Sequence, residues 1–369
     1  MSQVVSAARI LQGDNPFEVA PDHYARLHDP DYDDPLWSET HFWSCWNPEQ
    51  GVGFFIHAGP APEDHDVWWS QVMMYLPQRR VLADVSWGRA PDDRAGPATG
   101  NFRARSPELG HFNLSFDGAG ELTSTDDMAN RVVGAARCVP FSFEVEIKPV
   151  MPVWDLFKAI DIGEREWGGT HHEQVHTCEG WLKVGTLAGY EDYRLDGVSF
   201  RDHSIGRRDF SRLGGDHLFG GYFPDSGRAL QLLFMWTNDG TVEVRTMSIW
   251  ENDELELISD VEMTGVEHGT TSPNSLHRLT GEPLEFEIKL RRITGEEVVV
   301  KCEVEHSLNM SNSDPNTNLN GIDLTVGDGV LLLAESQVKL TWPDGEVGYA
   351  HLERGYRRNL LPDGAIPGS

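Results

Sequence analysis

The sequence has few of the features that mark disulfide scaffolds, zinc ribbons, secreted chains and membrane spans. Its 369 residues include four cysteines, which are spaced far apart and form no C-x-x-C pair. We therefore expect neither a disulfide scaffold nor a cysteine-ligated zinc site. No stretch approaches the roughly 18 uninterrupted apolar residues of a membrane span. Because no basic start followed by an apolar run opens the sequence, a cytoplasmic, reduced protein is expected.

Basic residues are also scarce, with 30 Lys and Arg against 59 Asp and Glu and a net charge of −29. Nucleic acids and anionic membrane surfaces both attract basic faces, so neither is a predicted partner. The phosphate-binding motif G-x-x-x-x-G-K-[ST] and the G-x-S-x-G elbow of α/β-hydrolases are absent from the sequence. Chemistry that depends on a nucleotide is therefore disfavoured, and no cofactor is predicted.

Short apolar runs that end in turn-forming residues are abundant, as at Asn238-Asp239-Gly240. Repeated strand–turn–strand units are typical of antiparallel sandwiches and barrels, and helical periodicity is scarce. Twelve tryptophans provide material for a substantial core. We predict an all-β protein with a loop rich in Asn and Asp at 309–320. The predicted division is an extended lead-in at 1–36, β-domains at 37–165 and 166–358, and a tail at 359–369.

The segment 197–209 concentrates charged residues between stretches of β-rich sequence. Asp202 adjoins His203, and histidine titrates near neutrality while carboxylates respond to burial. One interpretation is an acid–base histidine oriented by a carboxylate, with Arg201 or Arg207 holding an oxygen of the ligand. The alternative is a structural ion-pair network that closes one end of a barrel. The residues themselves leave both interpretations open.

Residues His172 to His176 match H-E-x-x-H, the pattern of zinc metalloproteases. On a helix, side chains four residues apart lie about 6 Å from each other and can share a metal ion. On a strand they lie about 13 Å apart, at roughly 3.3 Å per residue. The sequence from Thr177 onward is strand-like, so a zinc hydrolase is the less favoured alternative. On a strand, His172 and Gln174 would share one face, and Glu173 would lie on the other.

The succession of His172-Glu173-Gln174, residues 180–185 and the Arg201-Asp202-His203-Ser204 run resembles a known group. These are the tandem lipocalin-like proteins related to carotenoid 1,2-hydratase and the AttH proteins. The tryptophan-rich first half, with Trp68-Trp69, is similar to their first domain. The resemblance spans about 37–357 and implies two calycin-type β-barrels that act on hydrophobic small molecules without a cofactor.

The resemblance implies a hydratase, dehydratase or other lyase for a terpenoid, steroid or aromatic substrate. Asp202 and His203 would form the acid–base pair, with Glu173 as a supporting carboxylate. Ile205 departs from the aromatic residue expected at that position, which leaves the substrate open. A carrier that binds a hydrophobic ligand without turnover is the alternative. The predicted substrate-binding residues are Arg201, Arg207, Tyr222, Trp236, His172 and Gln174, and no metal ligand is predicted.

Overall fold

The computed structural model describes residues 19–20, 24–129, 137–159, 169–258, 260–264, 284–314, 319–321 and 331–357. Most of these residues lie in antiparallel strands that belong to two large sheets. The predicted all-β fold of two tandem barrels with few short helices is confirmed. Among the described residues, no helix is long and apolar enough to cross a membrane. The predicted tail at 359–369 lies outside the described residues.

The strands of the first sheet are β1 (Trp37–Asn47), β2 (Val52–Ala61), β3 (Asp64–Leu76), β4 (Arg80–Arg89), β5 (Phe102–Glu108), β6 (His111–Ser124), β7 (Arg137–Pro149), β8 (Trp154–Asp155), β9 (Thr170–Thr186), β10 (Gly189–Arg194) and β11 (Gly197–Arg207). This sheet closes into a barrel whose strands follow the order β1-β2-β3-β4-β6-β7-β9-β11 and return to β1. Closure results because β7 pairs with both β6 and β9, while β11 pairs with both β9 and β1.

The strands of the second sheet, which forms the second barrel, are β12 (Leu213–Phe223), β13 (Arg228–Thr237), β14 (Val242–Glu251), β15 (Glu254–Ile258), β16 (Val261–Thr264), β17 (Glu285–Arg291), β18 (Glu297–Asp314), β19 (Leu319–Gly321), β20 (Leu331–Thr341) and β21 (Val347–Arg357). This sheet follows the order β15-β14-β13-β12-β21-β20-β18-β17-β16, with β19 paired to β18. The loop predicted at 309–320 is partly strand, because β18 continues to Asp314. The short helices are α1 (Thr125–Ala129), α2 (Leu156–Ala159) and the 3-10 turns Pro77–Arg79 and Phe210–Arg212.

The chain changes from the first sheet to the second between Arg207 and Leu213. The predicted division at 165/166 therefore falls within the sequence of the first barrel. The glycine-interrupted stretch near that position separates strands of one barrel, since β9 and β11 complete the ring after it. The predicted lead-in also packs on this barrel over its described part, where Tyr24 is completely buried.

Strands β1, β9 and β11 separate the inside of the first barrel from the second barrel. Side chains alternate between the two faces of a strand. On β1, Trp43 packs in the core of the first barrel, whereas its neighbour Phe42 packs in a cluster shared with Leu218 and Leu233 of the second barrel. Which face a residue occupies therefore decides whether it lies inside the first barrel or between the two.

A disulfide joins Cys45 on β1 to Cys178 on β9, with 6.8 Å between their Cα atoms. This pairing is not predictable from cysteine spacing, because the two residues are 133 positions apart. Strand β11 lies between β1 and β9. Both cysteines lie on the inner face of the barrel and belong to its core. The expectation that all four cysteines are reduced is corrected at this pair.

Candidate functional site

The structure does not bring Asp202 and His203 together. They are consecutive residues of β11, so their side chains project from opposite faces of the sheet. Asp202 lines a cavity between the two barrels. His203 lies inside the first barrel, where its Nε2 is 3.0 Å from Oε1 of Glu39. An acid–base pair built from these two neighbours is therefore not formed.

The cavity has a volume of about 80 Å³, and both barrels contribute to its wall. Ten of the seventeen lining residues are apolar and seven are polar. The apolar lining residues are Phe42, Phe55, Phe157, Phe210, Leu213, Leu218, Leu233, Met235, Leu331 and Leu333. The polar lining residues are Thr40, His57, His171, Asp202, Arg208, Asp216 and Glu353.

Asp202 is the carboxyl group that the first barrel contributes to the cavity. It is half-buried, whereas its neighbours Arg201 and His203 are completely buried. Burial raises the pKa of Asp202 above its ordinary value, and the nearby His171 and Arg208 act in the opposite direction. A carboxyl that retains access to the cavity can exchange a proton with a molecule bound there.

The second barrel contributes a hydrogen-bonded carboxyl pair, Asp216 and Glu353. They come from the paired strands β12 and β21, where Leu218 lies opposite Glu353. Burial raises the pKa of Asp216 to about 6. The pKa of Glu353 lies well above its ordinary value because of burial and of the neighbouring acids Glu335 and Asp216. The pair therefore holds a proton near neutral pH.

Sequence reasoning missed this pair because its members meet through sheet pairing of strands far apart in the chain. The one local signal was a charged residue within the apolar, glycine-rich strand β12.

Arg208 supplies the positive charge of the cavity. Its Nη1 donates a hydrogen bond to Oγ1 of Thr40 over 3.0 Å, and its guanidinium lies 4.8 Å from the ring centre of Phe210. Its Nε is buried and has no hydrogen-bond partner within the described part of the chain. Arg208 can therefore orient an oxygen of a bound molecule. The predicted Arg207 instead points outward, where its Nη1 is 2.5 Å from Oδ1 of Asp34.

Glu173 lies on the same face as Asp202 and pairs with it across β9 and β11. It is 1% exposed, and burial raises its pKa to about 8. Its Oε1 is 3.3 Å from Nε2 of His171, whose own pKa is lowered by burial. Both shifts favour the neutral forms, so this contact is not an ion pair at neutral pH. Glu173 lies beside His171, which lines the cavity, and does not line the cavity itself.

Three predicted binding residues lie inside the first barrel instead of in the cavity. The guanidinium of Arg201 lies 4.0 Å from the ring centre of Tyr24 and is completely buried. Oε1 of Gln174 accepts a hydrogen bond from the Tyr24 hydroxyl over 2.7 Å. His172 packs edge-on against the same tyrosine. Its motif partner His176 lies with it on strand β9, so the helix that a shared zinc ion would require is not formed there.

Tyr222 and Trp236 do not line the cavity either. Tyr222 is partly buried at the edge of the core between the barrels. Trp236 packs beside the core of the second barrel, where its ring contacts His217 and Tyr356. The phenylalanines that line the cavity with Asp202 come instead from β1, β2, α2 and the 3-10 turn Phe210–Arg212.

The sequence matches a family described as a domain of unknown function, DUF7064, over residues 21–355. The chain belongs to this family. No curated protein matches it. The family description assigns no activity, so function has to be argued from the cavity.

Solved structures with the same fold include an AttH from Nitrosomonas europaea, at 14% identity and a TM-score of 0.53 over 90% of this chain and 95% of that one. CghA with Sch210972 has 10% identity and a TM-score of 0.54 over 95% and 98% of the two chains. Kievitone hydratase from Nectria haematococca has 12% identity and a TM-score of 0.49 over 91% and 94%. The resemblance to tandem lipocalin-like proteins is confirmed, and at these identities it shows the fold alone.

Proposed function

We propose that this protein is an acid–base enzyme, a hydratase, dehydratase or other lyase, that acts on a hydrophobic small molecule between its two barrels. The observation that carries the proposal is the cavity itself, whose wall combines carboxyl groups from both barrels with ten apolar side chains. Apolar walls bind the carbon skeleton, while a few polar groups orient it and supply the chemistry. No organic cofactor is needed for this reaction type.

For hydration of an alkene, the Asp216–Glu353 pair donates its proton to one alkene carbon, and water attacks the carbocation at the other. The added water then loses a proton to the carboxylate of Asp202, so one water molecule is consumed and the two acids end in exchanged protonation states. Solvent restores them. Aromatic rings such as Phe42 and Phe55 face the developing cation. Dehydration is the same sequence in reverse.

The cavity is smaller than the roughly 300–1,000 Å³ of drug-sized ligand sites, so binding has to displace part of the wall. Phe157 and Phe210 come from short helical turns instead of the sheets, which makes their rings the parts of the wall least constrained by strand pairing.

We expect Phe210→Ala to bind an apolar fluorescent dye several-fold more tightly than the unmodified protein, because the truncated ring leaves space in the cavity. Fluorescence titration measures the affinity, with Leu187→Ala as a control at a fully exposed apolar side chain. Unchanged affinity in Phe210→Ala would place the dye outside this cavity.

The direct test of the function is incubation of the full-length protein with terpenoid, steroid and aromatic alkenes and alcohols in ¹⁸O-labelled water. Mass spectrometry of the products detects incorporated ¹⁸O or lost water. Native mass measurement of the purified protein runs in parallel. A retained organic ligand without turnover of any compound would establish the carrier alternative. The absence of both a retained ligand and turnover across the whole panel would contradict the proposal.

A further inference from the structure

A second polar cluster lies inside the first barrel, on the face of β1 and β11 that is turned away from the cavity. Its centre is Glu39, which is completely buried. Oε1 of Glu39 lies 2.9 Å from Nδ1 of His28, 3.0 Å from Nε2 of His203 and 3.3 Å from Nε2 of His41. Its other oxygen, Oε2, accepts a hydrogen bond from the backbone N–H of His28.

Three ring nitrogens share one oxygen of Glu39 as their hydrogen-bond partner. Nη2 of Arg201 lies 3.2 Å from Nδ1 of His41, and arginine only donates. Neutral His41 therefore carries its proton on Nε2 and donates it to Glu39. A carboxylate oxygen has two lone pairs. The acceptor capacity that remains on Oε1 is shared by His28 and His203, whose ring nitrogens both lie within hydrogen-bond distance of it.

We propose that Nδ1 of His28, Nε2 of His203 and Oε1 of Glu39 bind a divalent first-row transition metal ion. These three atoms lie within 4.8 Å of one another. Two ligands about 2.1 Å from an octahedral ion and at right angles to each other lie about 3.0 Å apart. The separations from Oε1 to His28 and His203 are 2.9 and 3.0 Å. Two imidazoles and one carboxylate are the ligands of mononuclear zinc and non-haem iron sites.

The site also has an entrance and a structural consequence. The side chain of His28 is 18% exposed, whereas Glu39 and His203 are buried, so an ion can enter from the side of His28. His28 belongs to the segment before β1, and the other two ligands belong to β1 and β11. A bound ion would therefore fasten this segment onto the first barrel and stabilise the folded state.

The test is titration of the metal-free, full-length protein with Co²⁺, followed by its visible absorption and by the melting temperature. We expect one equivalent to bind with a rise in melting temperature. His28→Ala and Glu39→Gln should each weaken binding by more than about 100-fold, because even outer-shell substitutions cost 10–100-fold. His111→Ala, at a histidine of the same barrel outside the cluster, should bind Co²⁺ unchanged.

His28→Ala keeps the test decisive if Glu39→Gln fails to fold, because His28 is the least buried ligand. Substoichiometric binding to the unmodified protein, or binding that both folded variants retain, would overturn the proposal. The cluster would then be a hydrogen-bond network only. Neither result depends on turnover in the cavity, so this experiment tests the metal site independently of the proposed function.

Discussion

Asp202→Asn is expected to lower turnover of any substrate by at least about 100-fold, the lower end of the usual contribution of general acid–base catalysis. Asparagine preserves the shape of the side chain but can neither accept nor release a proton at neutral pH. Asp202 is the carboxyl that the first barrel contributes to the cavity wall, so the proton acceptor of the proposed mechanism is lost. Steady-state kinetics gives the loss in kcat, and unfolding by urea verifies that the variant is folded.

The matched control is Asp192→Asn, at an exposed carboxylate of the same barrel whose Oδ1 is 4.0 Å from Nζ of Lys183. This variant should retain full activity. Glu353→Gln should resemble Asp202→Asn, since it removes one member of the carboxyl pair on the opposite wall. A fully active Asp202→Asn enzyme would refute the role assigned to this residue. Loss of activity in Glu353→Gln alone would assign the proton transfer to the second barrel.

The fold was predictable from the sequence because strands and turns are local. Short apolar runs that end in turn residues predict antiparallel strands, and turns such as Asn238-Asp239-Gly240 connect strands as expected. The division into barrels was not predictable from the same signals. It depends on β7 pairing with β9 across the stretch near residue 165, and a glycine-rich interruption does not reveal which strands will pair across it.

The sequence predicts which strand contributes to the candidate site, but not which face of that strand the site lies on. The charged run on β11 does pass through the functional region, and it supplies Asp202 to the cavity. The run predicts one site from adjacent residues, whereas strand alternation places Asp202 and His203 on opposite faces. The carboxyl pair of Asp216 and Glu353 was not predictable from the sequence, because these acids meet only through the pairing of β12 with β21.

Glu173→Gln is expected to remove a large part of the pH dependence of stability. Burial raises the pKa of Glu173 from 4.5 to about 8 in the folded protein. Between these values the folded state retains a proton that the unfolded chain releases, so the free energy of unfolding falls as the pH rises. Each pKa unit corresponds to about 1.4 kcal/mol, which makes the total loss by pH 8 on the order of several kcal/mol.

Urea unfolding of both proteins at pH 5, 6.5, 8 and 9 measures this effect as the difference between the two curves. The difference is the relevant quantity because Asp216 and Glu353, whose pKa values are also raised, titrate in both proteins. Glutamine mimics the protonated acid, so the variant should differ least from the unmodified protein at pH 5 and exceed its stability most at pH 8 and 9. Glu179→Gln, at an exposed position of the same strand, should leave the curve unchanged. Parallel curves for Glu173→Gln and the unmodified protein would mean that folding does not raise the pKa of Glu173, and that this carboxyl is ionised in the folded state at neutral pH.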